Sequence, residues 1–285
     1  MFGILQGVRS KFTTKERNSF KPSIESLESR YCPTLHVTLA AQVLPAHEVQ
    51  LSGAVTGGNV AGVSLSFSGA VTGNVTTDST GNFSYTTSQA TLGSVSVTGT
   101  GTDMASANIA VAAPSFSSLS ISYGTQRTVT VSGTLVSIDA SSRTVSLSGA
   151  ASASGVTNSS GFFSVTTTAT ALGMISVSAT DLWGQASAPA SVMATSTAPV
   201  IQNFSGTSGA NNIWTFTGNV VDESAPGLTI TFGGIGALVG RTTTVQSNGT
   251  FFFTIQLPEG ASGAASALTT DWWGQNSQTE FYFVS

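Results

Sequence analysis

Three glycine-marked sites recur along this chain, and together they constrain the fold more than any other feature. Ser52-Gly53 returns as Ser132-Gly133 and Thr217-Gly218, and Ser68-Gly69 returns as Ser148-Gly149 and Gly233-Gly234. Gly81 before Asn82-Phe83-Ser84 returns as Gly161 before Phe162-Phe163-Ser164 and as Gly249 before Thr250-Phe251-Phe252. The interval is about 80 residues from first to second copy and about 85 to 88 from second to third. Landmarks that advance together define a tandem array, and the longer second interval implies small loop insertions in the third copy. Pro114 and Pro199 each follow a run of small residues, as short joints do, so the expected division is 36–113, 114–198 and 199–285 after a leader, 1–35.

Within each copy apolar residues alternate with hydroxyls. Val63, Leu65 and Phe67 interleave with Ser64 and Ser66, Val145 and Leu147 with Thr144, Ser146 and Ser148, and Leu228, Ile230 and Phe232 with Thr229 and Thr231. A period of two means strands with one buried and one wet face, the pattern of antiparallel sheets. In the second copy strands are predicted to start near Ser118, Thr128, Thr144, Gly155, Phe162, Met174 and Ala186. Seven strands in one repeat is the count of an immunoglobulin-like sandwich. Charged residues make up only 8% of the chain, which argues against long surface helices. The single cysteine, Cys32, excludes a disulfide within the chain, so packing alone must hold the sandwiches.

One further motif closes the second and third copies. Thr180-Asp181-Leu182-Trp183-Gly184-Gln185-Ala186-Ser187 is matched by Thr270-Asp271-Trp272-Trp273-Gly274-Gln275-Asn276-Ser277. Gly184 and Gly274 suit the positive φ of a tight turn, and the carboxylates of Asp181 and Asp271 suit backbone N–H groups at a bend. A degraded copy, Thr102-Asp103-Met104, keeps Asp103 and lacks the glycine. An alternating strand, Thr-Asp, Gly and a last strand resemble the end of bacterial Ig-like domains, with Gln185 and Gln275 in place of the usual Asn. The resemblance implies an all-β fold, three tandem immunoglobulin-like β-sandwiches after a disordered or short helical leader. It is nearly silent on function, because such modules serve as spacers, adhesins and enzyme appendages.

The leader is different in kind. Six of the nine basic residues (Arg9, Lys11, Lys15, Arg17, Lys21 and Arg30) lie there, followed by Ile24-Glu25-Ser26-Leu27-Glu28-Ser29-Arg30-Tyr31-Cys32-Pro33. Glu25, Leu27, Glu28, Arg30 and Pro33 match the Leu-Glu-x-Leu-Glu-x-Arg-x-x-Pro segment near the start of large secreted planctomycete-type proteins, with Ile24 at the first Leu. That resemblance implies export to the cell surface or beyond. No apolar run reaches transmembrane length. Only Arg127, Arg143 and Arg241 remain after the leader, so nucleic acid is not an expected partner.

Catalytic chemistry is not expected. Nucleophilic hydrolysis needs a Ser or Cys beside a His, and His36 and His47 are the two histidines, both early in the chain. Asp181 and Asp271 occupy equivalent turns and read as backbone caps. Asp222-Glu223 or the aspartates between repeats could lend oxygens to calcium, but no Asp-x-Asp-x-Asp run occurs, so neither metal nor cofactor is expected. The open question is aromatic. In an extended strand Trp272 and Trp273 point to opposite faces. One of them, or Trp183, is then a candidate platform for a sugar ring, unless the turn curls and both rings cover the end of the sandwich. Phe252 and Tyr282 are read as the outward members of their strands. The remaining classes are a spacer or adhesion module whose partners are other surface proteins or polysaccharide, and a carbohydrate-binding module. Self-association through nearly uncharged edge strands is also open.

Overall fold

A computed structural model describes residues 34–285. The export-segment residues Glu25, Leu27, Glu28, Arg30 and Pro33, and Cys32, lie outside the described residues.

The first repeat comprises β1 (His36–Val37), β2 (Ala40–Leu44), β3 (Glu48–Thr56), β4 (Ser64–Gly69), β5 (Gly73–Thr76), β6 (Asn82–Thr87), β7 (Gly93–Gly99) and β8 (Ala105–Ile109). The second comprises β9 (Ser115–Tyr123), β10 (Thr128–Val136), β11 (Thr144–Gly149), β12 (Ala153–Val156), β13 (Phe162–Thr168), β14 (Gly173–Ala179) and β15 (Ala190–Ala194). The third comprises β16 (Val200–Ser208), β17 (Ile213–Val221), β18 (Thr229–Gly233), β19 (Thr242–Thr244), β20 (Thr250–Gln256), β21 (Gly263–Thr269) and β22 (Glu280–Val284). Strand starts in the second repeat lie within three residues of those expected except the last, which begins at Ala190 because Ala186 makes only an isolated bridge to Thr180 at the base of the turn.

Each repeat is two antiparallel sheets face to face. In the second, β9-β10-β13 pack against β12-β11-β14-β15, and in the third β16-β17-β20 pack against β19-β18-β21-β22. The first has β5-β4-β7-β8 against a sheet in which β1 and β2 together occupy the place of a single first strand. The fourth strand pairs with the third and not with the fifth, which separates these sheets from the four-plus-three division of an immunoglobulin constant domain.

Three cores result, one per repeat. Leu65, Phe67 and Val97 are fully or almost fully buried in the first, Val131, Leu147, Phe163 and Ile175 in the second, and Phe216, Ile230, Phe232 and Phe251 in the third. Their hydroxyl-bearing strand neighbours face water.

The first landmark glycine has a packing cause. Gly53, Gly133 and Gly218 pair directly with Phe83, Phe163 and Phe251, and a Cβ at any of them would run into that ring. Each also faces a break in the first strand. The register slips beside Gly133 and again between Gln202 and Ser205, and β1 and β2 are separated opposite Gly53. Ser118 and Asn203 accommodate the slips with φ of 54° each. The second landmark closes β4 and β11 at Gly69 and Gly149 and directly follows β18 at Gly234, at φ of 93°, 100° and 82°, with the carbonyl of Ser94, Met174 or Ala264 where a Cβ would stand.

One alternation is opposite to expectation. Tyr282 points inward, beside Trp214 and Phe216, while Phe281 and Phe283 are exposed. Val284 is buried at the strand end, and with a period of two that places Tyr282 inside. Phe252 is exposed, as its alternation with Phe251 requires.

Candidate functional site

The Asp-x-Trp-Gly-Gln motif forms the same turn twice. Asp181 is buried, and its Oδ1 accepts the N–H groups of Trp183 (2.9 Å) and Gln185 (2.8 Å). Asp271 does the same for Trp273 (2.9 Å) and Gln275 (2.7 Å). Gly184 and Gly274 turn the chain at φ of 78° and 87°. The Ser187 hydroxyl accepts the Ala179 N–H at 3.2 Å and that of Ser277 the Thr269 N–H at 3.1 Å, closing the base of each turn. A carboxylate that replaces water at two backbone donors makes such a turn rigid.

The first repeat lacks this turn. Its β7–β8 connection is shorter, and Asp103 caps the other end of the chain path. Asp103 Oδ1 accepts the Val37 N–H at 2.8 Å, while Oδ2 contacts His36 Nδ1. The Val37 hydrogen bond is the main cause holding the Asp103 carboxyl below the usual carboxylate range, against a smaller desolvation and with help from His36.

Both turns reach the preceding repeat. Trp183 packs against the first repeat's core and meets His47 edge to face, with ring centroids 4.2 Å apart. Gln185 Nε2 bonds Asp181 Oδ2 at 3.3 Å and the Val111 carbonyl in the joint at 3.1 Å. In the third repeat Trp273 packs against the second repeat's core. Gln275 Nε2 bonds Asp271 Oδ2 at 3.2 Å and the Ser196 hydroxyl at 2.9 Å, and that hydroxyl in turn donates to Asp271 Oδ2 at 3.0 Å. The longer Gln, noted in the sequence as a departure from Asn, is what spans turn and joint.

Trp272 behaves differently from its neighbour. Its ring lies against the third repeat's own core, and Nε1 donates to the Ser224 carbonyl at 3.0 Å. The pair therefore sits in a turn, not in an extended strand, with one ring against each of two adjacent repeats. All three candidate tryptophans, Trp183, Trp272 and Trp273, are partly buried.

Periodicity did not reveal the loop partners of these turns. In the first joint the Ala46 N–H donates to Asp139 Oδ1 at 2.6 Å, while Asp139 Oδ2 and Trp183 Nε1 are buried with no protein partner. In the second, Asp222 and Glu223 follow β17 and approach Asp271, with carboxylate oxygens all within 4.8 Å. These are the one grouping of three such side chains among the described residues. Three carboxylates fall short of the about six to eight oxygens that calcium takes, so the geometry by itself assigns no metal. Burial is the main cause pushing the Asp222 carboxyl above its ordinary value. The Ser224 N–H opposes the shift, and the charges of Glu223 and Asp271 add to it.

No protein-family model matches the chain, and no curated protein does. Among solved structures, a study of host cell surface retention of a 1.5-MDa bacterial ice-binding adhesin is similar over 88% of this chain and 97% of that one, at 16% identity and a TM-score of 0.31. The BSP domain of a biofilm-associated protein aligns over 90% and 67% at 9% identity and a TM-score of 0.25. Chicken CNTN1 domains FN1–FN3 align over 88% and 99% at 12% identity and a TM-score of 0.26. No helix of the described residues is long and apolar enough to cross a membrane.

Proposed function

We propose that this chain is a non-enzymatic, exported spacer and adhesion module of the cell surface or extracellular matrix, in which the Asp-x-Trp-Gly-Gln turns lock successive sandwiches. The observation that carries this reading is the repeated use of one motif at both joints. Trp183 and Trp273 each cover the core of the preceding repeat, and Gln185 and Gln275 each bond the five-residue connection between repeats. Buried aromatic contact plus a side-chain bond to the connection limits swing between modules, and tandem modules of limited swing present reach and many weak contacts. The leader's likeness to exported planctomycete-type proteins supports the location, and the weakly charged, hydroxyl-rich faces supply a polar surface.

The test is a pair of measurements on the secreted full-length chain. Protease shaving of intact cells should release it, and its pull-down on insoluble polysaccharides and envelope fractions should be unchanged by Trp273→Ala. Retention on one glycan that is abolished by Trp272→Ala or Trp273→Ala, with both variants folded, would replace this reading by a carbohydrate-binding module. Retention of the chain inside the cell would overturn it outright.

A further inference from the structure

Each sandwich has one end at which its last strand finishes. The β6–β7 connection of the first repeat lies there, since Gly93 pairs with Ile109 at the end of β8, and Gly173 with Ala194 and Gly263 with Val284 are the counterparts. In the first two repeats this end is covered from outside, by Trp183 and Trp273 of the repeat that follows. The contact of Trp183 with His47 in the β2–β3 turn marks the place. Among the described residues no sandwich precedes the first repeat, and its own turn carries Met104, 67% exposed, and no tryptophan.

The third repeat fills the same end with its own side chains. The Ala169 N–H donates to the Arg127 carbonyl at 3.0 Å and the Leu257 N–H to the Asn212 carbonyl at 2.9 Å, so Leu257 stands where the second repeat has Ala169. Thr91 and Thr170, which donate alike to the carbonyls of Ala70 and Ala150, make Ala90 the counterpart in the first repeat. Ala90, Ala169 and Leu257 are all buried. Beside them, residues 70–72 join β4 to β5 and residues 150–152 join β11 to β12, whereas the longer run 234–241 joins β18 to β19. This insertion doubles back on β18. The Gly240 N–H donates to the Phe232 carbonyl at 3.1 Å, and the Phe232 N–H to the Arg241 carbonyl at 2.8 Å. Leu238 is fully buried in the third core, with Ile235 and Ala237 packed against it. The outer side is polar: Asn212, Arg241, Gln256 and Glu259 line a shallow cleft there.

An alanine at the end of a core leaves depth that a neighbour's indole can take up. A leucine in its place, joined by Leu238 in the same core, fills that depth from within. We propose that the end of each sandwich is a socket for the tryptophan of an Asp-x-Trp-Gly-Gln turn, and that the β18–β19 insertion, with Leu257, is a built-in plug for the third. The next repeat's indole and the insertion are then alternative covers for one structural position. The plugged end offers no place to a further turn of this kind and presents a polar face, as the outer face of a capping repeat does. Cover of this sort does not depend on what the chain binds or where it is exported.

Amide exchange in the full-length chain tests both covers. In the parent the Leu257 N–H should be protected to within about tenfold of the Ala169 N–H, since each end is closed. Leu238→Ala should speed exchange at Leu257 by about tenfold or more and leave Ala169 at its parent rate. Leu238→Val, a milder truncation, should act in the same direction with a smaller change and keeps the test open if the alanine variant unfolds the repeat. Trp273→Ala should speed exchange at Ala169 and leave Leu257 unchanged, and Trp273→Phe, which restores a ring, should recover much of the protection. Ala169→Leu, which gives the second repeat the residue of the third, should expose the Trp273 indole, read from faster exchange of its ring N–H. The proposal is overturned if Leu257 exchanges in the parent like an open amide, if both Leu238 variants leave it at the parent rate, if Trp273→Ala leaves Ala169 protected, or if Ala169→Leu leaves the Trp273 indole as sheltered as before.

Discussion

The side-chain amide of Gln185 donates to the main-chain carbonyl of Val111, 74 residues earlier, across the boundary between two sandwiches. Gln275 makes the corresponding bond to Ser196, 79 residues earlier. Gln185→Ala removes one such bond while leaving the turn's own Asp181 contacts in place. Each bond is worth about 1 kcal/mol net. The variant should therefore loosen the first joint, seen as independent tumbling of the repeats in NMR relaxation, while the melting of each sandwich stays within about 0.5 kcal/mol of the parent.

Asp181 and Asp271 support their turns from a buried position. Asp271→Ala strips two backbone N–H groups and the Ser196 hydroxyl of their acceptor, and should cost the third repeat about 1–3 kcal/mol. Asp271→Asn, which keeps one acceptor oxygen, should cost less. Amide hydrogen exchange at Trp273 and Gln275 would report the loss directly, and unchanged protection there would contradict this account of the turn.

Trp183 and His47 form an edge-to-face pair across the first joint. A double-mutant cycle with Trp183→Ala and His47→Ala should return a coupling of about 0.5–1.5 kcal/mol beyond the burial of either ring. Additive effects would mean that the rings are neighbours without being partners.

Gly133 pairs with Phe163 at the strand slip. A Cβ there would lie 2.6 Å from Leu119 Cδ2 and 3.2 Å from the Phe163 ring, so Gly133→Ala should cost about 1–3 kcal/mol through overpacking. Gly274 has open space around it but a φ of 87°, so Gly274→Ala should cost only about 1 kcal/mol of backbone strain. Urea unfolding of the two variants would separate steric from conformational need, and equal costs would refute the distinction.

Acid should act in opposite directions at Asp103 and at Asp222. The lowered Asp103 carboxyl stabilises the attachment of β1 at every pH above the ordinary Asp value, and that contribution is lost as pH falls through its own lower value. The raised Asp222 carboxyl stabilises the folded β17–β18 loop below the ordinary value, and its contribution is lost as pH rises through the folded one. On acidification the Val37 amide should begin to exchange, and Asp103→Asn should abolish that change.

The all-β sandwich class and most strand starts were legible in the sequence, since alternation of Val145 and Leu147 with hydroxyls, or of Ile230 and Phe232 with threonines, is a local consequence of one wet and one dry face. Positive φ at Gly69, Gly149 and Gly234 is equally local, so glycines repeat where turns repeat. Tyr282 shows where this reading ends. Its inward side was set by the burial of Val284, because alternation fixes the period of a strand but not which face is the core.

The sequence by itself determined a tandem array of antiparallel β-repeats closed by an Asp-x-Trp-Gly-Gln turn, since residue spacing and backbone preference act over a few neighbours. Only the tertiary structure decided where that turn faces. Trp183 against His47, Trp273 against the second core, and Asp222 beside Glu223 and Asp271 are contacts between segments far apart in the chain or on different loops. A turn's sequence sets its bend, but the direction of its side chains depends on the surface the neighbouring repeat brings to it.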